Sequence, residues 1–147
     1  MMRAARFASQ LNFAIDEEVL SAMSTMASRI SIISAERVRE EFTKLLMSAH
    51  PRLGITILVD TGIAELVLPE IPKLRLEIDE HHHHKDVYEH SITVLEQAIA
   101  QEERLGGPNL VIRLAALLHD IGKPKTRNLL EDRKSTRLNS SHDQRSR

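Results

Sequence analysis

Residues 109–125 read NLVIRLAALLHDIGKPK. From Leu110 to Leu118 every residue except Arg113 is apolar, as expected of a helix buried on most of its sides. A helix is predicted over residues 109–121, separated from the one before it by Gly106, Gly107 and Pro108. His119 and Asp120 stand at its end, where side chains meet solvent, and a neighbouring imidazole and carboxylate there can reach one divalent ion. Working upstream, Val87, Ser91, Val94, Leu95 and Ala98 lay an apolar face along a helix over residues 86–103. His90 lies on that helix and is placed to complete three ligands. The alternative is a His-Asp hydrogen bond that only caps the helix.

Further upstream the chain reads as helix after helix. Residues 1–12 place Phe7 and Leu11 on an apolar side and Arg3 and Arg6 one turn apart on a basic edge. Asp16 is an N-cap ahead of Glu17 and Glu18, and Val19, Met23, Met26 and Ile30 recur at helical spacing. Ser34 caps a third helix whose Val38, Phe42, Leu45 and Leu46 face inward. Pro51 follows its end, with His50 read as a helix-end cation. The run Leu53–Asp60 stops at Gly62, a left-handed cap, and a short helix from Ile63 stops before Pro69. Residues 69–85 read as a linker. It holds His81, His82, His83 and His84, taken as native linker, with a metal tract as the alternative.

Composition narrows the function classes. The chain has 147 residues, 41% hydrophobic and 28% charged, an ordinary balance for a folding chain. With no cysteine, any metal must be held by His and carboxylate, and eight histidines supply the means. Three Phe, one Tyr and no Trp argue against a base-stacking platform, so RNA contact would be electrostatic. No apolar run has bilayer length and the start is not that of a secretion signal, so the expected compartment is the cytoplasm, with no membrane partner.

Charge is uneven along the chain. Residues 132–147 carry five Lys/Arg and two Asp/Glu, a local +3, so residues 1–131 hold −4 of the total −1. Within that end, residues 132–142 read DRKSTRLNSSH, which resembles the translation of a short-read sequencing adapter. Residues 132–147 are therefore expected to be a disordered tail outside the fold; the alternative is a basic nucleic-acid-binding arm.

His90 followed by ALLHDIGKP resembles the HD superfamily of helical metal-dependent phosphohydrolases. The resemblance implies a divalent transition metal held by His90, His119 and Asp120, with a further Asp well downstream that no residue here matches. The segment HKDVYEH, residues 84–90, resembles the approach to that domain. A second resemblance covers the rest. MMRAARFASQLNFAI, residues 1–15, is similar to the stretch after the EDxxR motif of class II CCA-adding tRNA nucleotidyltransferases and bacterial poly(A) polymerases. SAERVREEFTKLL, residues 34–46, resembles their neck motif, and LVDTGIAELVLPEI, residues 58–71, the helical stretch after it.

This resemblance implies an all-α fold: a helical neck bundle over residues 1–68, a linker over 69–85, and a truncated HD bundle over 86–131. It implies that Arg3 and Arg6 lie by the bound nucleotide and that Glu36 and Arg37 give structural support. The parent enzyme would add CCA to tRNA from CTP and ATP, using Mg2+ in a head domain that lies upstream in the family. That places no catalytic residue in this chain, which is expected to be inactive alone, with Met1 an internal Met. Two other classes remain open: an HD phosphohydrolase acting on 2′,3′-cyclic phosphate or phosphomonoester ends, and a non-catalytic helical RNA-binding module.

Overall fold

The computed structural model describes residues 1–76 and 87–123, and among these there is no strand. The elements are α1 (Met2–Leu11), α2 (Glu17–Thr25), α3 (Ala35–Leu46), α4 (Pro51–Asp60), α5 (Ala64–Val67), α6 (Glu70–Lys73), α7 (Val87–Ala100) and α8 (Leu110–Leu118). Tight 3-10 turns occupy Ala27–Ile32, Leu74–Leu76 and Glu102–Leu105. The all-α expectation holds for the described residues. The adapter-like residues 132–147, the four histidines of the linker and residues 124–131 lie outside them.

Helix α1 ends on Asn12, whose φ of 53° is left-handed. Its buried face differs from the expected one. Met2, Ala5, Ala8 and Ser9 are buried, whereas Phe7 and Leu11 are exposed. The reason is the closeness of α4. A Cβ built on Gly54 would stand 2.1 Å from Ser9 Oγ and 2.7 Å from Leu45 Cδ1, so only small α1 side chains fit against that helix.

Asp16 caps α2 by accepting from the Glu18 N–H at 2.9 Å, as the sequence indicates. The α-helix stops at Thr25 instead of running to Ile30. The Thr25 hydroxyl bonds back to the Ser21 carbonyl at 2.9 Å and Ser31 to that of Ser28 at 2.9 Å, local bonds that compete with regular helix. The chain tightens into a 3-10 turn, which buries Met23 and Ile30 and leaves Val19 and Met26 exposed.

Ser34 caps α3 through the Arg37 N–H at 3.4 Å, and Leu45 and Leu46 are fully buried. Pro51 occupies the first turn of α4, where its missing N–H costs nothing. His50 thus precedes α4 at its N-cap position; it is not the cation at a helix C-terminus that the sequence suggests. Gly62 has the left-handed φ of 73° expected of it.

The linker expectation needs correction at residues 70–76. These form α6 and a 3-10 turn, and Ile71 and Leu74 are buried against the core. Two prolines three residues apart suggest a linker, yet both lie where a short helix tolerates them, at its cap and in its first turn. Ile71 and Leu74 then share one face.

Helix α8 also differs. Asn109 caps it, accepting from Val111 N–H at 2.9 Å and Ile112 N–H at 3.2 Å. It ends at Leu118, not at residue 121. Its buried face is Arg113, Ala116 and Leu117, with Val111 73% exposed, so it is one-sided. Leu45, Leu46 and Leu58 from the N-terminal helices and Ile92, Leu95 and Leu117 from α7 and α8 belong to one apolar cluster. The two expected bundles share a core.

Candidate functional site

The crossing of α7 and α8 brings His90, His119 and Asp120 together, as the sequence reading required. His119 Nδ1 lies 2.8 Å from the Ala116 carbonyl. A carbonyl only accepts, so Nδ1 carries the proton and Nε2 presents its lone pair. That Nε2 is 3.3 Å from His90 Nε2 and 3.2 Å from Asp120 Oδ2, and His90 Nε2 is 3.9 Å from the same oxygen. The rings meet edge to face at 67°.

Asp120 Oδ2 is buried and accepts no hydrogen bond of good geometry, although the Lys123 ammonium lies 2.8 Å away. A buried carboxylate oxygen that faces two imidazole nitrogens suits a cation, and here the Lys123 ammonium is the cation beside it. Two donors each about 2.1 Å from a tetrahedral ion stand about 3.4 Å apart. The three observed separations bracket that spacing, so the donor set fits a divalent ion bound by nitrogen and carboxylate.

Arg3 and Arg6 both point from α1 toward Glu41 of α3, but differ in environment. Arg6, 13% exposed, donates from Nε to Glu41 Oε2 at 2.7 Å and from Nη1 to Gln10 Oε1 at 2.8 Å, and its guanidinium lies 4.2 Å from the Phe7 ring centre. Arg3, 72% exposed, reaches no nearer than 3.9 Å to Glu41 Oε1. Glu36 and Arg37 are exposed at the start of α3.

Arg113 and Arg52 tie the helices that carry His90 and His119 to the rest. Arg113 is 3% exposed and Glu102 5%. The guanidinium donates to both Glu102 oxygens at 2.6 Å and to the Leu46 and Ser48 carbonyls at 2.7 Å. One cation thus joins α8, the turn before it and the C-terminus of α3. That hydrogen bonding, with the adjacent positive charge, holds the Glu102 carboxyl below the usual carboxylate range against the opposing effect of burial.

On the other side Arg52 of α4 grips Glu96 at 2.7 and 2.9 Å and Glu89 at 2.8 Å. Glu89 adjoins His90. Hydrogen bonding from Arg52 holds the Glu96 carboxyl down. The signal for Arg113 was present in the sequence, as the one cation in an apolar helix with a glutamate eleven residues before it. Nothing local marks Arg52.

Residues 12–74 match the family model described as "Probable RNA and SrmB- binding site of polymerase A", and residues 87–147 match the HD domain. The second match takes in the adapter-like residues 132–147. The chain is 36% identical over 129 residues to an A-adding tRNA nucleotidyltransferase of Deinococcus radiodurans, covering 84% of this chain and 29% of that protein. It is 37% identical over 131 residues to a multifunctional CCA protein of Azoarcus sp., covering 86% and 31%. For a multifunctional CCA protein of Neisseria meningitidis the identity is 35% over 130 residues, covering 86% and 30%. The chain thus spans about three tenths of the length of these relatives. No solved structure matches it. Both family models are matched in the order RNA-binding region then HD domain, and over most of its length the chain is similar to one stretch of tRNA nucleotidyltransferases and CCA proteins.

Proposed function

We propose that this chain is the neck and the first part of the HD domain of a CCA-adding tRNA nucleotidyltransferase. The observation that carries the reading is the alignment of most of the chain with about three tenths of proteins named for that activity. In the parent enzyme the tRNA 3′ hydroxyl would attack the α-phosphate of CTP or ATP, with Mg2+ bound in the upstream head. The neck's part is to support that reaction from α1 and α3. Arg3 and Arg6 lie on the side of α1 facing α3, with Glu41 fixing Arg6. The test is direct. Incubated with labelled CTP or ATP and a tRNA lacking its 3′ end, this chain should incorporate nothing; joined to a family head domain, it should support addition. Robust incorporation by the chain alone would overturn the reading.

A second reading is supported by the metal-ligand geometry. His90, His119 and Asp120 would hold a divalent ion, which when bound supplies Lewis-acid chemistry toward a phosphate ester. The chain's own residues would orient the site: the Ala116 carbonyl sets the His119 tautomer, and Lys123 supplies a cation beside Asp120. With three ligands, binding of Zn2+ or Mn2+ should be weak and should weaken on acidification, as protons compete for both imidazoles. His119→Ala should lower calorimetric affinity at least roughly tenfold, the lower end of the effect of even outer-shell changes. Substituting any one of His81 to His84 should change it far less. The reverse order would move the metal into the histidine run.

A further inference from the structure

Beyond Leu118, where α8 ends, the chain turns back on itself at once. The Ile121 N–H donates to the Leu118 carbonyl at 3.1 Å and the Lys123 N–H to the Asp120 carbonyl at 2.9 Å. These turns return Lys123 to Asp120, so that its Nζ stands 2.8 Å from Asp120 Oδ2. This is the same oxygen that His119 Nε2 approaches at 3.2 Å and His90 Nε2 at 3.9 Å. One buried carboxylate oxygen therefore faces two imidazoles and one ammonium. The imidazoles are donors to a metal, whereas the ammonium is its rival. An ion about 2.1 Å from Oδ2 and an ammonium 2.8 Å from it lie at most about 5 Å apart. Even at the dielectric of water, charges of +2 and +1 at that separation repel enough to cost about tenfold in affinity. The lysine must either stay and repel the ion or leave and lose its carboxylate. Its exit is open, because the Lys123 side chain is 43% exposed while that of Asp120 is 12% exposed. A flexible four-carbon stem lets the ammonium turn into water without moving the backbone.

We infer that Lys123 is a resident counter-ion of Asp120, displaced when a divalent ion binds His90, His119 and Asp120. The inference rests on the metal-ligand reading and adds to it a residue that acts against binding. A buried carboxylate with no cation beside it is costly, and Lys123 meets that charge until the ion does. It thereby sets the metal concentration at which the site fills. Neither arginine that ties α7 and α8 to the rest competes in this way, because Arg113 is held by Glu102 and Arg52 by Glu89 and Glu96.

The experiment measures Zn2+ binding to the 147-residue chain by calorimetry, at one pH and low ionic strength. Lys123→Met keeps nearly the length of the side chain and removes its charge, and should bind about tenfold more tightly than wild type. Lys123→Arg keeps the charge and should stay within about threefold of wild type. Lys44→Met removes an ammonium paired with Glu40 at 2.6 Å on α3 and is the control for net charge, with an expected change below about twofold. Added salt should narrow the gap between wild type and Lys123→Met. NMR of the lysine ammonium groups gives a second measure: Zn2+ should shift one signal of the wild type, the one missing from Lys123→Met. If wild type and Lys123→Met bind Zn2+ equally, or the variant binds more weakly, the counter-ion role falls and the metal-ligand reading stands. It falls also if Lys44→Met tightens binding as much as Lys123→Met does. Binding by Lys123→Met with none by wild type supports it. If neither binds, both readings fall.

Discussion

Arg113→Ala is expected to cost the folded chain about 3–5 kcal/mol, the range for removing one partner of a buried ion pair. The substitution leaves the Glu102 carboxylate buried without its cation, and the Leu46 and Ser48 carbonyls without their donor. Replacing both charges, as in Arg113→Met with Glu102→Met, should recover only part of the loss. An apolar pair can replace a buried ion pair at little cost, but two buried carbonyls still lack a partner, at about 1–3 kcal/mol each.

The pH dependence follows in sign. Because the folded Glu102 carboxyl titrates lower than its ordinary value of 4.5, its contribution is fully present above that value and is lost as pH falls through the depressed folded value. Wild type should therefore lose stability on acidification below about pH 4.5, whereas Arg113→Ala should lose less over that window. Urea denaturation at pH 7 and across the acid range measures both. A variant with the wild-type midpoint would show that the four contacts of Arg113 do not hold α8 to α3.

Gly54→Ala should destabilise the protein by about 2 kcal/mol, opposite in sign to what helix propensity alone predicts. Within a helix alanine is favoured over glycine by about 1 kcal/mol. Against this, the new Cβ meets Ser9 Oγ and Leu45 at well under van der Waals separation, and overpacking costs about 1–3 kcal/mol, with contacts this close at the upper end. The clash wins because Ser9 and Leu45 are fully buried and neither has solvent to turn into. Thermal unfolding should show a fall of roughly 8 °C, taking about 4 °C per kcal/mol for a chain of this size. Ser9→Ala in the same background should restore part of it, since the Ser9 hydroxyl has no hydrogen bond to lose. A rise in melting temperature would mean that α1 and α4 are farther apart than described.

The readings that succeeded were local ones. Asp16 and Ser34 cap helices because a short side-chain oxygen two or three residues from a free N–H finds it whatever surrounds them. Gly62 takes its left-handed φ for an equally local reason. The apolar face of α1 was misread because periodicity counts large residues, and here the buried ones are alanine and serine chosen by the closeness of Gly54. Residues 70–76 read as linker in the sequence because proline punctuates it more visibly than two apolar residues three apart.

The candidate site divides in the same way. His119 and Asp120 are adjacent in sequence and His90 sits on the helix before them, so their convergence was legible from order and spacing. Helical architecture and the meeting of these three residues both follow from short-range pattern. The burial of Arg113 against the Leu46 and Ser48 carbonyls, 67 and 65 residues away along the chain, comes instead from the closing of the fold. Folding likewise pairs Arg6 with Glu41, 35 residues away. The state of a charged side chain depends on which distant groups reach it once the backbone has closed, and no local periodicity encodes that.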